Sequence, residues 1–410
     1  MTRLRVVGIS SGTSADALDV AVGDFTFSAR QPSKASGQVY DVELVLELHP
    51  VLHREVEIPE ELRALILGSL PPATPDWETV ARIDRGIGRL SAEAAAAAIA
   101  RADDRPVDLV VSHGQTVFHH VVEGEVLCSL QLGQPAWIAE ATGLPVVSDL
   151  RVADIAAGGQ GAPLASTLDA LLLGGRKAPA AALNLGGIGN VSVVGPGAPV
   201  LAFDTGPANA LLDAVVRQAS GGAEHYDADG AGAARGRVDE ALLRRLLAEP
   251  YYALAPPKTT GKELFSAASL QQHLVAHGSE VSTDNLLATL TELTARTVAD
   301  ALRSYGVAEV FVSGGGVRNP TLLNRLRRHL EVPVRRTSEL GVPEEAKEAY
   351  LFALLGFLTW HGLPGTIPSA TGARRAQIAG RITPGHRPLR LPEPATRVPT
   401  RLVVLTRDVG

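Results

Sequence analysis

Short apolar runs alternate with longer segments of helical periodicity along most of the chain, and this pattern constrains the fold more than any other feature. The runs Leu4 to Ile9, Leu109 to Ser112 and Val310 to Val312 have the length and composition of buried strands. Residues 77–102 and 284–305 have the length and apolar spacing of helices. Strands that alternate with helices are typical of α/β proteins. The sequence therefore predicts an α/β fold.

The length and an internal repetition indicate more than one domain. The chain has 410 residues, enough for two or three domains of ordinary size. A strand, turn and strand from Val6 to Phe25 has a similar counterpart from Ala180 to Val194, which indicates an internal duplication. We therefore expect an N-terminal domain of residues 1–177 plus 363–385, a C-terminal domain of residues 178–362, and a proline-rich tail of residues 386–410.

Two segments are expected to carry no chemistry. Residues 28–37, which include Ser, Gln and Lys, have the composition of a hairpin insertion. The C-terminal segment from residue 384 onward contains five prolines and has no helical period. We expect it to be extended or partly disordered.

Composition and charge argue against several classes of function. The 38 basic and 44 acidic residues leave a net charge of −6 without long blocks of one sign, so no nucleic-acid partner is expected. The sequence has no apolar stretch of about 18 residues, so no membrane span is expected. The single cysteine, Cys128, excludes an intramolecular disulfide and, with no secretory signal at the N-terminus, indicates the cytoplasm. The oligomeric state stays open, with a homodimer as one alternative.

Two polar motifs follow predicted strands in the N-terminal half. The segment Gly8 to Asp16 combines glycines with hydroxyl residues, which can direct backbone N–H groups at a phosphate. It lacks the lysine of a Walker A loop, so an ordinary hairpin turn is the alternative. The segment Ser112 to Thr116 includes His113, but His119 and His120 do not complete the spacing of a zinc site. A structural or substrate-contacting role is therefore favoured there over a metal site.

Three further motifs contain glycine next to a strand or a helix. Gly158 to Pro163 suits either a flexible hinge or a turn that faces a substrate. In the segment Phe203 to Asn209, Asp204 ends a strand, a position that suits a general base, a magnesium ligand or a helix cap. The segment Ser313 to Pro320 has three consecutive glycines before a helix, which permit close approach by a flat or anionic ligand.

Taken in order, these motifs resemble those of the 1,6-anhydro-N-acetylmuramic acid kinase family, within the actin-like ATPase superfamily. The matching segments are Ser10-Ser11-Gly12-Thr13-Ser14-x-Asp16, Ser112-His113-Gly114-Gln115-Thr116, Gly158-Gly159-Gln160-Gly161-Ala162-Pro163-Leu164, Asn184-x-Gly186-Gly187-x-x-Asn190, Phe203-Asp204-x-Gly206-Pro207 and Gly314-Gly315-Gly316-x-x-Asn319-Pro320. The resemblance spans residues 4–383 and implies two actin-like ATPase (ribonuclease H-like) domains around a central nucleotide cleft. The chain departs from the family pattern at Ala17 and Ala208, where Gly is usual, and at Thr366, where Asn is usual.

The resemblance also implies an activity. It implies a kinase of cell-wall recycling that uses ATP and Mg²⁺, opens the anhydro ring of an amino sugar with water, and phosphorylates O6 to give N-acetylmuramic acid 6-phosphate. Asp204 is the implied catalytic base. The residues expected to bind the nucleotide are Gly12, Thr13, Ser14, Ala15, Asp16, Ala17, Leu18, Asp19, Gly186, Gly187, Asn190, Gly314, Gly315, Gly316 and Asn319. Those expected to contact the sugar are Gln115, Arg151, Gln160, Asn209 and Glu348; the metal ligands stay unassigned.

Two alternatives remain open at this point. Another carbohydrate kinase of the same superfamily is one, and the motifs of Gln115 and Gln160 argue against it. A non-catalytic, sugar-sensing or filament-forming relative is the other, and Asp204 argues against it. For Glu348 the alternative is an ordinary solvated helix face, since it lies in the predicted helix 345–361 among other charged residues.

Overall fold

The computed structural model describes residues 3–12, 15–30, 43–102, 105–261 and 264–405. The strands are β1 (Leu4–Ser11), β2 (Ala17–Arg30), β3 (Glu43–Glu57), β4 (Leu109–Ser112), β5 (Gln115–Val122), β6 (Glu125–Leu132), β7 (Val146–Ser148), β8 (Ala180–Leu185), β9 (Ile188–Val194), β10 (Leu201–Pro207), β11 (Glu309–Ser313), β12 (Val334–Arg336), β13 (Arg381–Thr383) and β14 (Arg401–Val404). The helices are α1 (Glu60–Leu67), α2 (Trp77–Ile99), α3 (Pro135–Thr142), α4 (Val152–Ala156), α5 (Ala165–Leu173), α6 (Asn209–Ala219), α7 (Ala231–Arg235), α8 (Glu240–Leu247), α9 (Ala267–His277), α10 (Thr283–Leu302), α11 (Pro320–Leu330), α12 (Lys347–Trp360) and α13 (Pro368–Thr371).

The chain divides into two compact units, one of Met1–Gly174 with Gly341–Gly410 and the other of Gly175–Leu340. The first unit is built on a seven-stranded sheet with the order β13-β7-β4-β1-β2-β3-β14. Strands β1, β2 and β3 form an antiparallel meander, and β4 and β7 extend the sheet from β1 in parallel. Strands β5 and β6 pair separately as a two-stranded sheet.

The second unit repeats this topology in a five-stranded sheet with the order β10-β9-β8-β11-β12. Strands β8, β9 and β10 form the antiparallel meander, and β11 and β12 extend the sheet from β8 in parallel. In both units the first strand of the meander therefore lies at the centre of the sheet. Two strands parallel to it continue the sheet on its other side. This shared strand order, typical of ribonuclease H-like domains, confirms the predicted α/β fold with two related domains.

The predicted long helices are present. Helix α2 begins after Asp76, whose carboxylate accepts a hydrogen bond from the N–H of Thr79 at 2.7 Å and so caps the helix. Its apolar side chains, including Ile83 and Ile87, pack with Val7 of β1 in the core of the first unit. Helix α10 matches the second long helix predicted from the sequence. None of the helices in the described part of the chain is long and apolar enough to cross a membrane.

Helix α12 packs closely on the sheet of the first unit. A Cβ atom on Gly8 would lie 2.0 Å from the carbonyl oxygen of Ala349, and one on Gly356 would lie 2.1 Å from Cγ2 of Val111. The helix therefore approaches β1 and β4 at a distance that only glycine permits at these two positions. The helix is apolar on nearly all sides, as expected of a helix that is buried all round.

The observed division differs from the predicted domain boundaries. Residues 341–362 lie with the first unit, although the sequence pattern placed them at the end of the domain 178–362. The physical reason is the packing of α12 on β1, β2 and β4. The first boundary falls after Gly174, three residues before the predicted one at 177.

The segment after residue 384 is not a detached tail in the described part of the chain. Strand β14 pairs in parallel with β3, from Arg401 opposite Val45 to Val404 opposite Leu48, and Leu402 is buried. Strands β2 and β3 pair out to their ends, so the first residues of the predicted insertion 28–37 lie in β2. Residues 31–37 of that insertion lie outside the described residues.

Candidate active site

The first predicted phosphate-binding segment is the turn that joins β1 to β2. The carbonyl oxygen of Gly12 accepts a hydrogen bond from the N–H of Ala15 at 3.1 Å, which closes the turn. Ala15 has a left-handed backbone with φ of 51° and a buried side chain, so it can offer only backbone groups to a ligand. Thr13 and Ser14, expected to supply hydroxyl groups, lie outside the described residues.

On the β2 side of this turn, Asp16 is exposed but paired, and the next two residues are half-buried and buried. The carboxylate of Asp16 is paired with the guanidinium of Arg63, at 2.9 Å from Nη2 and 3.0 Å from Nε. Leu18 packs in the apolar core, and Ala17 is half-buried within the strand. Contacts of Ala17 and Leu18 with a nucleotide would therefore run through the backbone, and all three nucleotide roles stay predictions.

Gln115 is fully buried and links the end of β1 to the start of β5. The hydroxyl of Ser11 donates to Oε1 of Gln115 at 2.5 Å. Nε2 of Gln115 donates to the carbonyl oxygens of Gly12 and Thr116, both at 3.2 Å. Because the amide is engaged with the Gly12 turn, the structure places Gln115 as a support of that turn; a direct sugar contact stays a prediction.

Arg151 lies immediately before α4, with its guanidinium fixed by two neighbours. Nη1 donates to the carbonyl oxygen of Gly161 at 2.8 Å, and Nη2 lies 3.1 Å from Nε2 of His113. The His113 ring is buried and stacks on Phe352 with ring centroids 4.3 Å apart. Burial lowers the pKa of His113 well below its usual range, and the charge of Arg151 lowers it further. His113 is therefore neutral and accepts the hydrogen bond from Arg151.

Glu348, in the first turn of α12, belongs to the same electrostatic environment. Protein atoms around the Glu348 carboxyl group displace water from it and so raise its pKa, as does Asp19, whereas Arg151 and Lys347 lower it. The Glu348 side chain nevertheless remains exposed to water, so a ligand can reach it. Burial lowers the pKa of Arg151 to about 10, and Glu348 opposes that shift. Lys347, the preceding residue, is buried and pairs with Asp169 at 2.6 Å. Glu348 points in a different direction from the helix axis and is exposed, so both its sugar contact and the solvated-face alternative stay predictions.

The turn Gly158 to Pro163 is held by the fully buried carboxylate of Asp154. Its Oδ2 accepts from the N–H of Gly161 at 2.9 Å, and its Oδ1 accepts from the hydroxyl of Thr371 at 2.8 Å. The N–H of Gln160 donates to the carbonyl oxygen of Thr371 at 2.9 Å. Gln160 is half-buried on this fixed turn, which favours a substrate-facing turn over a flexible hinge.

A row of polar residues crosses the sheet of the second unit. Ser313 of β11 pairs with Asn184 of β8, Asn184 pairs with Asn190 of β9, and Asn190 pairs with Asp204 of β10. Directly opposed residues on antiparallel strands have Cβ atoms about 4.5–5.5 Å apart on the same face. The structure therefore brings together Asn190 and Asp204, which the sequence predicted from separate motifs.

The turn between β8 and β9 is bonded to the start of α6. The carbonyl oxygen of Gly186 accepts from the N–H of Asn209, and that of Gly187 accepts from the N–H of Ala208, each at 3.0 Å. Nδ2 of Asn209 donates to the carbonyl oxygen of Leu185 at 2.9 Å, so part of its amide is used inside the protein. The Ala208 methyl, where the family usually has Gly, packs in the core of the second unit.

The three glycines after β11 differ in how much space the protein leaves for a side chain. Gly314 has φ of 81°, and a Cβ atom there would lie 2.4 Å from Oδ1 of Asn184. A Cβ atom on Gly316 would lie 2.6 Å from a neighbouring Cβ. Gly315 is exposed, and among the described residues a Cβ there would meet only Nδ2 of Asn209, at 3.9 Å. Folding therefore requires glycine at 314 and 316, whereas Gly315 leaves space that a ligand can occupy.

Asn319 caps the helix that follows these glycines. Its Oδ1 accepts from the N–H of Leu322 at 2.9 Å, and its own N–H donates to the carbonyl oxygen of Gly316 at 3.1 Å. The side chain is nearly buried. The observed role of Asn319 is to fix the start of α11, and its nucleotide contact stays a prediction.

Asp204 lies within β10 and is half-buried. The sequence left open whether Asp204 caps the following helix, but α6 begins at Asn209 and its N-cap residue is Ala208. The helix-cap interpretation is therefore wrong. Oδ2 of Asp204 instead accepts a hydrogen bond from the N–H of Thr260 at 2.8 Å.

Sequence reasoning missed the segment that surrounds Asp204. The Tyr251 hydroxyl donates to the carbonyl oxygen of Asp204 at 3.0 Å, and the N–H of Asp204 donates to the carbonyl oxygen of Lys258 at 3.0 Å. Two prolines followed by the polar run from Lys258 to Gly261 were the available signal. Nothing in that run indicates which strand it contacts.

A magnesium ion that accompanies ATP has modest requirements. It binds mainly to phosphate oxygens and water, with one or two carboxylates from the protein. No group of three or more His, Cys, Asp or Glu side chains that could hold a metal occurs among the described residues. Asp19 in β2 of the first unit and Asp204 in β10 of the second are half-buried carboxylates. Each fits the need for a single protein carboxylate on the ion.

Comparison with known proteins identifies one family. The profile described as "Anhydro-N-acetylmuramic acid kinase" matches residues 4–385. The anhydro-N-acetylmuramic acid kinase of Streptomyces coelicolor is 52% identical over 403 residues, covering 98% of this chain and 99% of the relative. That of Streptomyces avermitilis is 50% identical over 402 residues, covering 98% and 100%. That of Rhodococcus erythropolis is 46% identical over 394 residues, covering 94% and 96%.

Proposed function

The chain belongs to the anhydro-N-acetylmuramic acid kinase family, and from this membership we propose that it opens the 1,6-anhydro ring of 1,6-anhydro-N-acetylmuramic acid and phosphorylates O6 at the expense of ATP. The products are N-acetylmuramic acid 6-phosphate and ADP. In this reaction the bond between C1 and O6 breaks, a water oxygen takes its place on C1, and O6 takes the γ-phosphoryl group. This is a step of cell-wall recycling, and an ATP-dependent step suits the cytoplasmic location expected from the sequence.

The placement of Asp204 carries the proposal. Water attacking C1 must lose a proton, and a fixed carboxylate can accept it. Asp204 is half-buried, and the N–H of Thr260 orients Oδ2 at 2.8 Å. Its neighbours across the sheet, Asn190 and Asn184, are uncharged amides, so no second acid competes for the proton along that row. We assign Asp204 the role of general base.

The nucleotide is assigned to backbone groups of glycine-containing turns. Phosphoryl transfer depends mostly on positioning and on charge stabilisation, so turns of glycine and hydroxyl residues can serve it. We place the phosphates at Gly12, Thr13 and Ser14 and at the turn of Gly186 and Gly187. The adenosine is placed against Gly315, where a side chain is absent and the space beside it is open. Mg²⁺, when bound with ATP, neutralises phosphate charge.

The sugar is assigned to residues of the first unit. The substrate carries a carboxylate, which the guanidinium of Arg151 can bind as an opposite charge. The hydrogen bond to Gly161 at 2.8 Å and the neutral ring of His113 hold that guanidinium in place. Glu348 is exposed to water in the same environment and can accept hydrogen bonds from sugar hydroxyl groups. We assign Gln160, on the turn fixed by Asp154, to the same sugar, and the sugar contacts of Gln115 and Asn209 stay predictions.

An assay of ADP release across a small panel of sugars tests the reaction. We expect rapid ADP release with the anhydro amino sugar, and slow release with N-acetylmuramic acid, N-acetylglucosamine and glucose. Mass spectrometry of the product should show addition of both water and a phosphoryl group. Preference for an ordinary hexose would indicate the other carbohydrate kinase, and no ADP release with any sugar would indicate the sugar-sensing relative.

The exchange of Asp204 for asparagine tests the base. Asp204→Asn keeps the volume and an acceptor for the N–H of Thr260, so folding and binding should survive. Loss of a general base typically costs about 10²–10⁴-fold in rate. We expect kcat to fall by at least about 10²-fold, with ATP and sugar still bound in calorimetry. Turnover within about threefold of the parent, well inside that range, would rule out the assignment.

A further inference from the structure

Both groups that hold the guanidinium of Arg151 are neutral. Nη1 donates to the carbonyl oxygen of Gly161 at 2.8 Å, and Nη2 donates to Nε2 of His113 at 3.1 Å. Within the described part of the chain no carboxylate forms an ion pair with Arg151. A guanidinium has five N–H donors, so these two bonds leave one donor on each Nη. The charge of Arg151 therefore stays available for a ligand carboxylate, which a guanidinium binds best through two parallel hydrogen bonds.

The ring of His113 is itself fixed by its surroundings. The backbone N–H of His113 donates to the carbonyl oxygen of Ile9 at 3.0 Å, which ties the residue to β1. The residue is only 4% exposed, and its ring stacks on that of Phe352 with 4.3 Å between the centroids and 13° between the planes. Close packing on both the backbone and the ring keeps Nε2 directed at Arg151.

One nitrogen of His113 has no partner. Arginine can only donate, so Nε2 must accept and the proton of the neutral ring lies on Nδ1. Nδ1 is buried and makes no hydrogen bond with any of the described residues. Buried polar groups are normally hydrogen-bonded, and an unpaired one lowers stability. Packing alone therefore does not explain a histidine here, whereas the lone pair that Nε2 offers to Arg151 does.

Helix α12 connects this arrangement to the rest of the proposed sugar site. Phe352, which stacks on His113, follows Glu348 by four residues, and residues four apart lie on the same face of a helix. Glu348 is exposed to water, and its charge acts on Arg151. One face of α12 therefore supports the ring of His113 and also carries a residue assigned to the sugar.

We propose that His113 is a positioning residue that sets the preference of this kinase for an acidic sugar: it accepts from Nη2 without neutralising Arg151 and so orients the guanidinium for the carboxylate of the substrate. A carboxylate side chain in its place would compete with the substrate for the same charge. An apolar side chain would leave the guanidinium free to turn. The inference rests on the sugar-binding role of Arg151 proposed above, since His113 acts through Arg151 and not on the sugar.

The test compares the anhydro amino sugar with its methyl ester in the full-length protein. The ester has the same ring but no negative charge, so the ratio of the two kcat/KM values measures recognition of the carboxylate. His113→Phe keeps an aromatic ring against Phe352 and removes the acceptor. We expect it to lower the ratio of acid to ester about tenfold, as for the loss of one hydrogen bond to a charged group. The kcat/KM for the ester and the KM for ATP should not change. His113→Gln, which can offer an acceptor oxygen to Arg151, should restore much of the ratio.

His361→Phe is the matched control. His361 is also a buried histidine of the first unit, and its ring packs on those of Phe27 and Phe357. It follows the C-terminal end of α12, about 20 Å along the helix from Glu348. The exchange removes a buried imidazole far from Arg151, so the ratio of acid to ester should stay that of the parent.

An equal loss with acid and ester in His113→Phe would overturn the proposal, because His113 would then serve only the fold. Loss of folding in both His113 variants would overturn it for the same reason. Arg151→Met separates this inference from the function on which it rests. A ratio that Arg151→Met leaves unchanged would refute the sugar-binding role of Arg151. A ratio that is lowered by Arg151→Met but not by His113→Phe would refute only the role of His113.

Discussion

The exposed glycine of the triple-glycine turn offers a test of nucleotide binding that is separable from folding. A valine side chain at Gly315 has room in the protein, since among the described residues its Cβ would meet only Nδ2 of Asn209 at 3.9 Å. Gly315 is not in the left-handed region, so the substitution causes no backbone strain there. We expect Gly315→Val to change the free energy of unfolding by less than about 0.5 kcal/mol, as for most surface substitutions.

The effect on the nucleotide should be larger. If adenosine occupies the space beside Gly315, the three added carbon atoms must overlap with it. Forcing extra carbon atoms into a packed contact costs about 1–3 kcal/mol, which corresponds to about a 5- to 150-fold loss of affinity. Calorimetric titration with ADP measures this loss, and urea unfolding measures stability in the same samples.

Two other glycines provide the comparison. Gly195→Val is the control in the same unit, because a Cβ there would make ordinary contacts of 3.4 Å and longer with Pro179, and it should leave ADP binding unchanged. Gly316→Val should lower stability, because its Cβ would lie 2.6 Å from a neighbouring Cβ. Normal ADP affinity in a folded Gly315→Val protein would refute the placement of adenosine against this turn.

Two further predictions concern buried polar groups of the first unit. Gln115→Ala removes hydrogen bonds at the Gly12 turn and should raise the KM for ATP about tenfold; a rise confined to the sugar KM would instead show a direct sugar contact. Asp24 is buried and accepts from Nε and Nη2 of Arg5 at 2.8 and 2.9 Å. Burial alone would raise the Asp24 pKa, but Arg5 and Arg3 together hold it below its usual range. Its contribution to stability is therefore present above the pKa of the unfolded chain and is lost as the pH falls through the lower folded-state pKa. Asp24→Asn should cost about 3–5 kcal/mol at pH 7, measured by urea unfolding, because it removes the carboxylate that balances the buried charge of Arg5; a loss below about 1 kcal/mol, the usual value of a surface pair, would contradict this.

Local patterns predicted the elements well, because strand and helix periodicity depends on near neighbours in the chain. The position of Asp204 in a strand before a glycine was visible in this way. The segment that surrounds Asp204 was not predicted, because Tyr251, Lys258 and Thr260 contact Asp204 across about fifty residues of intervening chain and no periodic pattern records such a contact. The same limit applies to α12: its apolar sequence predicts a buried helix but does not state which sheet it covers.

Single-residue expectations failed for a related reason. Asp204 resembled a helix cap in sequence because a helix follows soon after it, yet β10 continues past it to Pro207. Ala208 departs from the family pattern, and its methyl group packs in the core of the second unit. The direction in which a side chain points depends on the exact end of the strand and the start of the helix, and composition does not fix these ends.

The pairing of β14 with β3 has a consequence for how this chain behaves among its own copies. A long strand at the border of a sheet presents unpaired N–H and C=O groups, on which a strand of another molecule can assemble. Strand β3 has 15 residues and would form such a border. Residues 401–404 pair with Val45 to Leu48 and so cover this part of the border. Removal of the proline-rich segment that carries them would expose this part of β3 to a strand of another copy, which makes the segment a poor place to shorten the protein for study.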